Sequence, residues 1–464
     1  MRFNSLLVNA GMNGIAQGLG KLVRFVITSI ALVKFGAASW GEVAFALTLV
    51  TYLNFVLDFG LSSLALIEHP DDVKMDRKLF VALGYLRGFL IFSMALIGVL
   101  AFAAMDFPGG FVLKAYLLQI FLRPFNLDWW LSRKGYAGIN PMVQFVRQLL
   151  ALFTMWILEL PSIEYFAALD IGSEVLATLA LWFVGPKRKF SVGAPSKKEW
   201  KDAWNCYRGS FILFVSSSLL LLHQNVDIFF LKFFCGNAFV GIYDYCYRYA
   251  LFVFILGGSL SIPLRRQLAR LWEYGKTEDS ATLVFSCHRI LGVMSAGFLF
   301  GTVALSDIFF SKVIAVGAEY HASKVIVFLA CWLVVSFYSV PWSEWLISRS
   351  RKDYLKLAIV AGVVNVVANT LLVPRYGITG AAVAKILSES GIFLFLFIKV
   401  PGDMRKRIFK VARIHVLLVP MAVVFLMKGN VPVWLLGATA CAEVAVMWFT
   451  KYITRQDIKI LSRN

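Results

Sequence analysis

Fourteen stretches of this sequence are apolar and long enough to approach or cross a bilayer, and they restrict its fold more than any other feature. They lie at about residues 6–33, 40–67, 79–104, 110–131, 141–160, 164–185, 206–234, 238–263, 282–308, 322–348, 354–374, 378–398, 414–428 and 431–450. A transmembrane helix needs roughly 20 apolar residues, and the thirteenth stretch is shorter than that. If the last two form a tilted or re-entrant pair, twelve helices span the membrane. The sequence therefore predicts an all-α polytopic membrane protein with 12–14 transmembrane helices.

The composition excludes an ordinary soluble domain. Of 464 residues, 59% are hydrophobic and 16% are charged, whereas a soluble domain has about 25% charged residues. The net charge of +19 does not indicate nucleic acid, because the basic residues lie in short loops without a nucleic-acid-binding motif. The six cysteines are isolated, which argues against a disulfide framework and a metal site. No catalytic motif or phosphate loop is found, so we expect a protein that is not an enzyme and needs no cofactor.

Basic residues are concentrated in alternate loops, and this asymmetry predicts the orientation of the chain. If the N-terminus is cytoplasmic, one set of loops carries most of the lysines and arginines, and the opposite loops are nearly bare. Positive residues favour the cytoplasmic side of a membrane. We therefore expect Lys197, Lys406 and Arg407 to be cytoplasmic and Ala37 and Asn237 to face outward. Both termini are then inside the cell.

The chain divides into two similar halves at its longest basic loop. Gly36 and Gly41 flank the first outer turn of one half, and Gly236 and Gly241 flank the corresponding turn 200 residues later. This recurrence predicts two parallel repeats of six helices around a central cavity. The predicted domains are an N-terminal lobe at 1–185, a basic cytoplasmic linker at 186–204, a C-terminal lobe at 205–398, and helices 13 and 14 with a cytoplasmic tail at 399–464.

One face of the first apolar run is polar along its length. Its residues recur every three or four positions and are Asn9, Asn13, Gln17, Lys21, Arg24 and Thr28. At about 100° per residue, this spacing places them on one helical face. A cation at the centre of a spanning helix costs about 3 kcal/mol, so Lys21 and Arg24 are expected to face protein or water. The stripe predicts a solvated cationic cavity; the alternative is a structural seam that neighbouring helices satisfy.

Cations within other spans extend this predicted site. Arg123 and Arg248 lie well inside apolar runs that contain few acidic residues. A surplus of buried cations favours an anionic ligand, and both Arg and Lys bind phosphate oxygens, so we expect the cavity to bind a diphosphate. The predicted substrate-binding residues are Asn13, Gln17, Lys21, Arg24, Arg123 and Arg248. For Arg248, an i,i+4 ion pair with Asp244 is an open alternative.

Polar residues also interrupt the seventh apolar run. His223 lies four residues before Asp227, so the two side chains share a helical face. An intramembrane Asp beside a His can bind H⁺ or Na⁺ and couple transport to a gradient; a hydrogen-bonded hinge is the alternative. Asp58 is a further candidate for ion coupling, and capping of a backbone bend is its structural alternative.

Other charges within the spans favour structural roles. Lys385 and Glu389 have the i,i+4 spacing of a packing pair. Arg87 and Arg147 lie near predicted cytoplasmic ends, where a long side chain can extend to water. We therefore expect these residues to stabilise the helices or their ends, and Arg87 and Arg147 are weaker candidates for the substrate site.

Several short motifs resemble one family of membrane transporters. Residues 365–389 follow the pattern Asn…Pro-x-Tyr-Gly-x-x-Gly-Ala-Ala-x-Ala…Ser-Glu. Further matching stretches are 35–41, 58–61, 126–130, Asp227, 241–243 and Arg248. Over most of the chain, up to about residue 400, these motifs resemble the Wzx-type oligosaccharide flippases of the multidrug/oligosaccharidyl-lipid/polysaccharide (MOP) exporter superfamily.

The resemblance implies a flippase that moves an undecaprenyl-diphosphate-linked oligosaccharide, such as an O-antigen or exopolysaccharide repeat unit, across the bacterial cytoplasmic (inner) membrane by alternating access. Its implied partners are this lipid-linked oligosaccharide, membrane lipids, H⁺ or Na⁺ as the coupling ion, and a polysaccharide polymerase with a chain-length regulator. Alternatives are a lipid II (peptidoglycan precursor) flippase and a drug or cation antiporter of the same superfamily, for which an acidic or neutral aromatic pocket is expected. A membrane-embedded glycan ligase or polymerase would need a large outer loop, and all the predicted outer loops are short.

Overall fold

A computed structural model describes most of the chain. The described residues are 3–61, 73–93, 110–133, 136, 138–184, 194–311, 322–402, 404–406 and 408. Side chains in the first helix are described from residue 14 onward, so the side chain of Asn13 lies outside the described part. The predicted helices 13 and 14, Arg407 and the C-terminal tail also lie outside it.

The regular elements in the described ranges are helices, and the predicted all-α fold class is confirmed. In chain order the α-helices are α1 (Phe3–Asp58), α2 (Val73–Phe80), α3 (Phe111–Leu117), α4 (Asp128–Arg133), α5 (Ile139–Ile157), α6 (Ile163–Val184), α7 (Lys197–Phe234), α8 (Asn237–Glu273), α9 (Thr277–Ser311), α10 (Ala322–Arg349) and α11 (Arg351–Lys399). A π-helical turn at Val81–Leu86 continues α2, and a 3₁₀ helix at Leu118–Phe125 continues α3.

Six helices in the described part are long and apolar enough to cross a membrane, as expected for a multi-pass membrane protein. They lie at Gly14–Asp58, Ile163–Phe183, Phe214–Phe234, Thr277–Ala304, Ala322–Arg349 and Lys352–Lys399. The first and last contain 45 and 48 residues, more than one bilayer crossing requires. Each is broken by a glycine with positive φ, Gly36 at 84° and Gly377 at 55°, a conformation that costs other residues more. The neighbouring spans predicted in these two regions are therefore the two halves of a broken helix.

The fourth predicted span is not one regular helix. Helix α3 ends at Leu117, a 3₁₀ segment follows, and α4 begins at Asp128. Pro124 lacks a backbone N–H and cannot continue an α-helix without strain. Asn126 then adopts an extended conformation, and its side-chain oxygen accepts a hydrogen bond from the backbone N–H of Asp128 at 2.8 Å. The apolar run at 110–131 is therefore not one continuous α-helix, and the break places Arg123 beside irregular backbone.

The chain divides into two compact units, Met1–Leu221 and Leu222–Asn464. In the first unit, Trp129, Trp130 and Tyr207 belong to a cluster of buried apolar side chains. In the second unit, α10 packs against α8, α9 and α11 and is buried along most of its length. Each unit thus has its own core. The predicted lobe boundaries stay a prediction.

The start of α7 lies within the predicted linker, so residues 197–204 are helical. Ser196 and Glu199 form a capping box: Ser196 N donates to Glu199 Oε2 at 2.7 Å, and Glu199 N donates to Ser196 Oγ at 3.3 Å. Arg77 Nε of α2 donates to Glu199 Oε1 at 2.8 Å. One carboxylate therefore satisfies the N-terminus of α7 and connects it to α2.

Replacing Gly380 by alanine is expected to destabilise the second unit. A Cβ atom at this position would lie 2.6 Å from the carbonyl carbon of Leu372, so the two halves of α11 would have to separate. Overpacking of this kind costs about 1–3 kcal/mol. The control is Gly391→Ala, whose Cβ would meet Val364 Cγ2 at an ordinary 3.6 Å. Thermal unfolding in detergent should show a loss of stability for Gly380→Ala only; equal stability of both variants would contradict the close approach.

The ion pair at the start of α7 generates a pH prediction. The Arg77 hydrogen bond and the capping contacts of Ser196 lower the pKa of Glu199 to about 2. Because the usual Glu pKa is about 4.3, the stability contributed by Glu199 is fully present above that pH and is lost as pH falls through about 2. Glu199→Gln should remove this part of the acid dependence, and Arg77→Gln should reduce it. Melting temperatures between pH 2 and pH 6 test this; parallel curves for all three proteins would contradict it.

Candidate functional site

In the first unit, the buried carboxylate of Asp170 on α6 connects three other helices. It accepts hydrogen bonds from Arg24 Nη1 of α1 at 3.1 Å and from Tyr116 OH of α3 at 2.8 Å. Arg147 Nη1 of α5 donates to its other oxygen at 3.0 Å. Arg147 also pairs with Glu174 of α6 at 3.1 Å. Two arginines therefore meet two carboxylates, and the formal charges of this cluster cancel.

This pairing corrects the prediction that Arg24 is a surplus cation. Arg24 is 8% exposed and Asp170 is 2% exposed, so neither charge is compensated by water. The Arg24 guanidinium also lies 5.7 Å from the ring centroid of Trp40, within range of a cation–π interaction. Arg147 was expected to extend to water, but its guanidinium is bound by Asp170 and Glu174. Arg24 and Arg147 therefore hold the helices of the first unit together.

The polar stripe on α1 has two different parts. Thr28 is fully buried, and its hydroxyl donates to the backbone carbonyl of Arg24 at 2.8 Å. Lys21 is half-buried and Gln17 is exposed. The Arg24–Thr28 part thus makes the contacts that the structural alternative predicts, and substrate binding by Arg24 stays a prediction. The part that contains Gln17 and Lys21 is more accessible, and substrate binding there stays a prediction.

Arg87, Asp58 and Arg123 form a second cluster of charges in the first unit. Arg87 Nη2 lies 2.6 Å from Asp58 Oδ1, and Arg87 Nη1 donates to the backbone carbonyl of Arg123 at 3.3 Å. Arg87 is 5% exposed and directly follows the π-helical turn, a distortion that is frequent at functional sites. The expectation that Arg87 extends to water is therefore wrong. Asp58 is its ion-pair partner, and ion coupling by Asp58 stays a prediction.

This second cluster has donor groups that the described residues do not satisfy. Arg87 Nε is buried and makes no hydrogen bond in the described part of the chain. The half-buried guanidinium of Arg123 forms no ion pair with any described acid, although it interacts electrostatically with Arg87 and with Asp58, Asp128 and Glu174. Neighbouring guanidinium groups with spare donors can bind a phosphate group through several oxygens. The cluster is therefore the candidate anion site of the first unit.

In the second unit, Arg248 forms the i,i+4 ion pair that was the alternative to a role in ligand binding. Arg248 Nε lies 2.6 Å from Asp244 Oδ2, and the Asp244 side chain is only 6% exposed. Both residues are on α8, so the pair stabilises one helix within the core. A direct role of Arg248 in substrate binding stays a prediction, but its charge is already compensated.

A buried network connects α7 to α11 in the second unit. Lys385 Nζ lies 2.9 Å from Asp227 Oδ2, and the two side chains are 0% and 1% exposed. His223 Nε2 lies 3.1 Å from Glu389 Oε2, and His223 Nδ1 lies 2.6 Å from Ser388 Oγ. The expected packing pair of Lys385 with Glu389 is therefore wrong. Each of these residues pairs across to α7 instead.

Comparison with known proteins places this geometry in a known fold. No protein-family model matches the chain. It is 24% identical over 229 residues to the probable flippase AglR of Haloferax volcanii, and the match covers 48% of this chain and 45% of the length of that relative. It superposes on a multidrug resistance MATE family transporter of the MOP superfamily, in the outward-facing conformation, with a TM-score of 0.60, 16% identity and coverage of 87% and 96% of the two chains. The lipid II flippase MurJ, in an inward closed conformation, gives a TM-score of 0.65 at 15% identity over 98% and 99% of the two chains.

The chain has the MOP-transporter fold. This finding confirms the fold that the sequence motifs implied. The two structural relatives carry different names for what they transport, one a multidrug transporter and the other a lipid II flippase. At 15% and 16% identity, fold alone does not choose between such cargoes. The choice depends on the charged groups of this chain.

Sequence reasoning missed two residues that organise these clusters. Asp170 is the acid that neutralises Arg24, and it stands four residues before Glu174 in an apolar span. Two acids at i,i+4 spacing in a spanning helix are expensive and indicate cationic partners on other helices, so a signal was present. Trp332 on α10, whose indole donates to Glu389 at 3.3 Å, has no comparable signal, because a tryptophan in a span is unremarkable by itself.

Replacement of Asp170 by asparagine should strongly destabilise the first unit. Asp170→Asn leaves Arg24 buried without its acid, and breaking a buried pair costs about 3–5 kcal/mol. The double variant Arg24→Gln/Asp170→Asn should recover part of this loss, because Arg147 keeps Glu174. Glu174→Gln is the control and should be milder, since Arg147 then keeps Asp170.

Membrane yield and thermal unfolding in detergent measure these effects. The expected order of stability is wild type, then Glu174→Gln, then the double variant, with Asp170→Asn lowest. An Asp170→Asn protein that is as stable as wild type would show that the buried pair does not hold the helices together.

Proposed function

We propose that this protein is a flippase for an undecaprenyl-diphosphate-linked oligosaccharide in the bacterial cytoplasmic membrane, working by alternating access. Three findings support the proposal: the Wzx-like sequence motifs, the similarity to a probable flippase, and the MOP fold. The observation that carries it is the pair of neighbouring guanidinium groups of Arg87 and Arg123. Arg24, Arg147 and Arg248 are held by carboxylates, as Arg87 is by Asp58, whereas Arg123 forms no ion pair with a described acid.

The chemistry of these two arginines fits a diphosphate. Arg87 has a buried Nε–H with no partner among the described residues, and Arg123 has no ion pair with a described acid. A guanidinium group is always charged and presents donors in a planar fork that matches phosphate oxygens. In this proposal the diphosphate lies at Arg87 and Arg123, the sugars lie in a wet cavity that Gln17 and Lys21 line, and the lipid tail stays among the helices.

A lipid II flippase is a second candidate, because the chain superposes on MurJ over 98% of its length. A drug or cation antiporter is disfavoured, since an unsatisfied arginine repels a cationic drug. For the first candidate, the expected partners are the lipid-linked oligosaccharide, membrane lipids and a polysaccharide polymerase with a chain-length regulator. The expected orientation has both termini in the cytoplasm, which follows from the basic loops.

The test substitutes the two arginines without removing a structural ion pair. Arg123→Gln should impair export of the surface polysaccharide while the protein stays folded, because no described acid loses its partner. Arg87→Lys should do the same, since lysine keeps a charge beside Asp58 but lacks the fork and the Nε–H. Loss of a charge-assisted phosphate contact is worth about 1.5–3 kcal/mol, or roughly a 10- to 150-fold weaker interaction.

The control is Arg208→Gln, which makes the same charge change at an exposed arginine of the first unit. Surface polysaccharide is measured in a deletion strain complemented with each variant, together with membrane expression and melting temperature in detergent. Normal export by the Arg87→Lys/Arg123→Gln double variant would refute the anion site. Normal polysaccharide in the deletion strain itself, with lost growth or altered drug sensitivity, would favour the lipid II or antiporter candidates.

A further inference from the structure

The buried network of the second unit has an uncompensated charge. Asp227 and Glu389 are acids, Lys385 is a cation, and all three side chains are at most 8% exposed. With a neutral His223, the formal charges sum to −1. A buried net charge is costly, so the network should bind one positive charge.

The other groups that face the network do not supply this charge. Tyr243 of α8 donates its hydroxyl to Asp227. On α10, Trp332 donates to Glu389 at 3.3 Å, and Ser336 and Ser339 interact with the same carboxylate. On α11, Asn365 Nδ2 donates to the backbone carbonyl of His223 at 3.0 Å and lies 3.5 Å from His223 Nδ1. All of these groups are uncharged.

A described ion pair on the neighbouring helix α8 is already neutral. It is formed by Asp244 and Arg248 on α8, at 2.6 Å. Its two charges cancel, so it does not alter the formal sum for the network. The described groups named above do not supply the missing positive charge, so a bound cation or protonation within the network would supply it.

A cation that belongs to the chain, Lys385, binds one oxygen of the Asp227 carboxylate. Lys385 Nζ contacts Asp227 Oδ2 at 2.9 Å and also donates to the backbone carbonyl of Gln224. It lies 4.4 Å from the ring centroid of Tyr247 and 5.4 Å from that of Trp332, in cation–π range. A carboxylate, a carbonyl and two aromatic faces thus surround the ammonium. The other oxygen of that carboxylate, Oδ1, is buried without a hydrogen-bond partner among the described residues. Because the ammonium already compensates the charge of Asp227, the carboxylate of Glu389 is the one left without a charged partner when His223 is neutral.

The imidazole of His223 is placed to hold a second proton. Its Nε2 faces the carboxylate of Glu389, which only accepts hydrogen bonds when ionised. Its Nδ1 faces the hydroxyl of Ser388, and that hydroxyl also lies 2.8 Å from the backbone carbonyl of Ala361, to which it can donate. When Ser388 donates to Ala361, its oxygen is left to accept from Nδ1–H. Both nitrogens then act as donors, as in an imidazolium.

We propose that His223 is the proton-binding site of this transporter, with Glu389 as its counter-ion and Ser388 as a hydroxyl that changes its hydrogen-bond acceptor when the proton binds. The proton adds to Nδ1 and forms one N–H bond, and no other covalent bond changes. In the neutral state the Ser388 hydroxyl donates to Nδ1 of His223. In the protonated state it accepts from Nδ1–H and donates to Ala361.

This exchange of hydrogen bonds connects proton binding to the broken helix α11. Ala361 lies before the break at Gly377, and Ser388 lies after it. In the protonated state the Ser388 hydroxyl therefore joins the two halves of α11, whereas in the neutral state it donates to α7. The proton thus changes which helices are held together, which is the change that coupling to transport requires. The inference concerns the ion and holds for either flippase cargo.

The test measures proton binding without any cargo. The indole of Trp332 contacts Glu389, so a charge on His223 should change its fluorescence. The fluorescence emission of the full-length protein in detergent is recorded from pH 4.5 to pH 8.5. The emission of the Trp332→Phe variant is subtracted from that of wild type, and the difference is the signal of Trp332. Wild type should show a one-proton step, and His223→Gln should lack it. The step should be the same in sodium and in choline buffers.

Two further variants distinguish a loss of proton binding from a loss of the folded structure. Ser388→Ala removes the acceptor of Nδ1–H and should weaken proton binding roughly tenfold, because a hydrogen bond to a charged group is lost. His288→Gln is the matched control. His288 is also fully buried in this unit, but its Nδ1 already accepts from the indole of Trp342 at 3.2 Å. This variant should titrate like wild type.

The outcomes separate this inference from the proposed function. A Trp332 step that persists unchanged in His223→Gln and Ser388→Ala would overturn the inference. A signal that follows sodium concentration and not pH would overturn it as well. Either result would leave the anion site at Arg87 and Arg123 untouched, because fluorescence is measured without cargo. Conversely, normal export by the arginine variants would not alter the titration of His223.

Discussion

The cost of placing a charge in an apolar span is the constraint on which this structure depends. A lone cation at the centre of a spanning helix costs about 3 kcal/mol, so such a cation is expected to face an acid, another polar group of the protein or water. Arg24 of α1 and Asp170 of α6 satisfy this condition over a sequence separation of 146 residues. The bond between them selects which helices become neighbours. Stability and helix arrangement in the first unit therefore have the same origin.

The helix interruptions have equally local causes, and they determine where charged groups can be reached. Gly36 and Gly377 take positive φ angles, so each long helix turns back without strain at a position that other residues would resist. Arg123 lies beside Pro124 in the 3₁₀ segment that follows α3, and the π-helical turn precedes Arg87. Irregular backbone inside a membrane protein is tolerated where it is buried in protein or lines a cavity. The candidate anion site thus coincides with two such interruptions.

The sequence predicted the features that depend on local spacing and not those that depend on distant packing. The length of the apolar runs predicted the spanning helices. The i,i+4 spacing of Asp244 and Arg248 indicated their ion pair, because contacts at this spacing follow from the geometry of a single helix. The same rule failed for Lys385, since its true partner Asp227 is 158 residues away. The i,i+4 spacing shows that two side chains of one helix can form a contact. A partner on another helix can still replace that contact, and spacing along the sequence does not reveal such a partner. An unmatched acid such as Asp170 was the available sign that a distant cation existed.

Once the structural pairs are recognised, the charges that remain indicate the ligands. Arg24, Arg147 and Arg248 are cancelled by carboxylates, so counting cations in the spans overestimates the positive charge available to a substrate. In the first unit, Arg123 has no ion pair with a described acid and the Nε–H of Arg87 has no partner among the described residues, and these donors favour an anion. In the second unit, the buried network has one negative charge in excess when its histidine is neutral, and this excess favours a proton. The ligand that each cluster favours thus follows from the groups without a structural partner: guanidinium donors in the first unit and a carboxylate charge in the second.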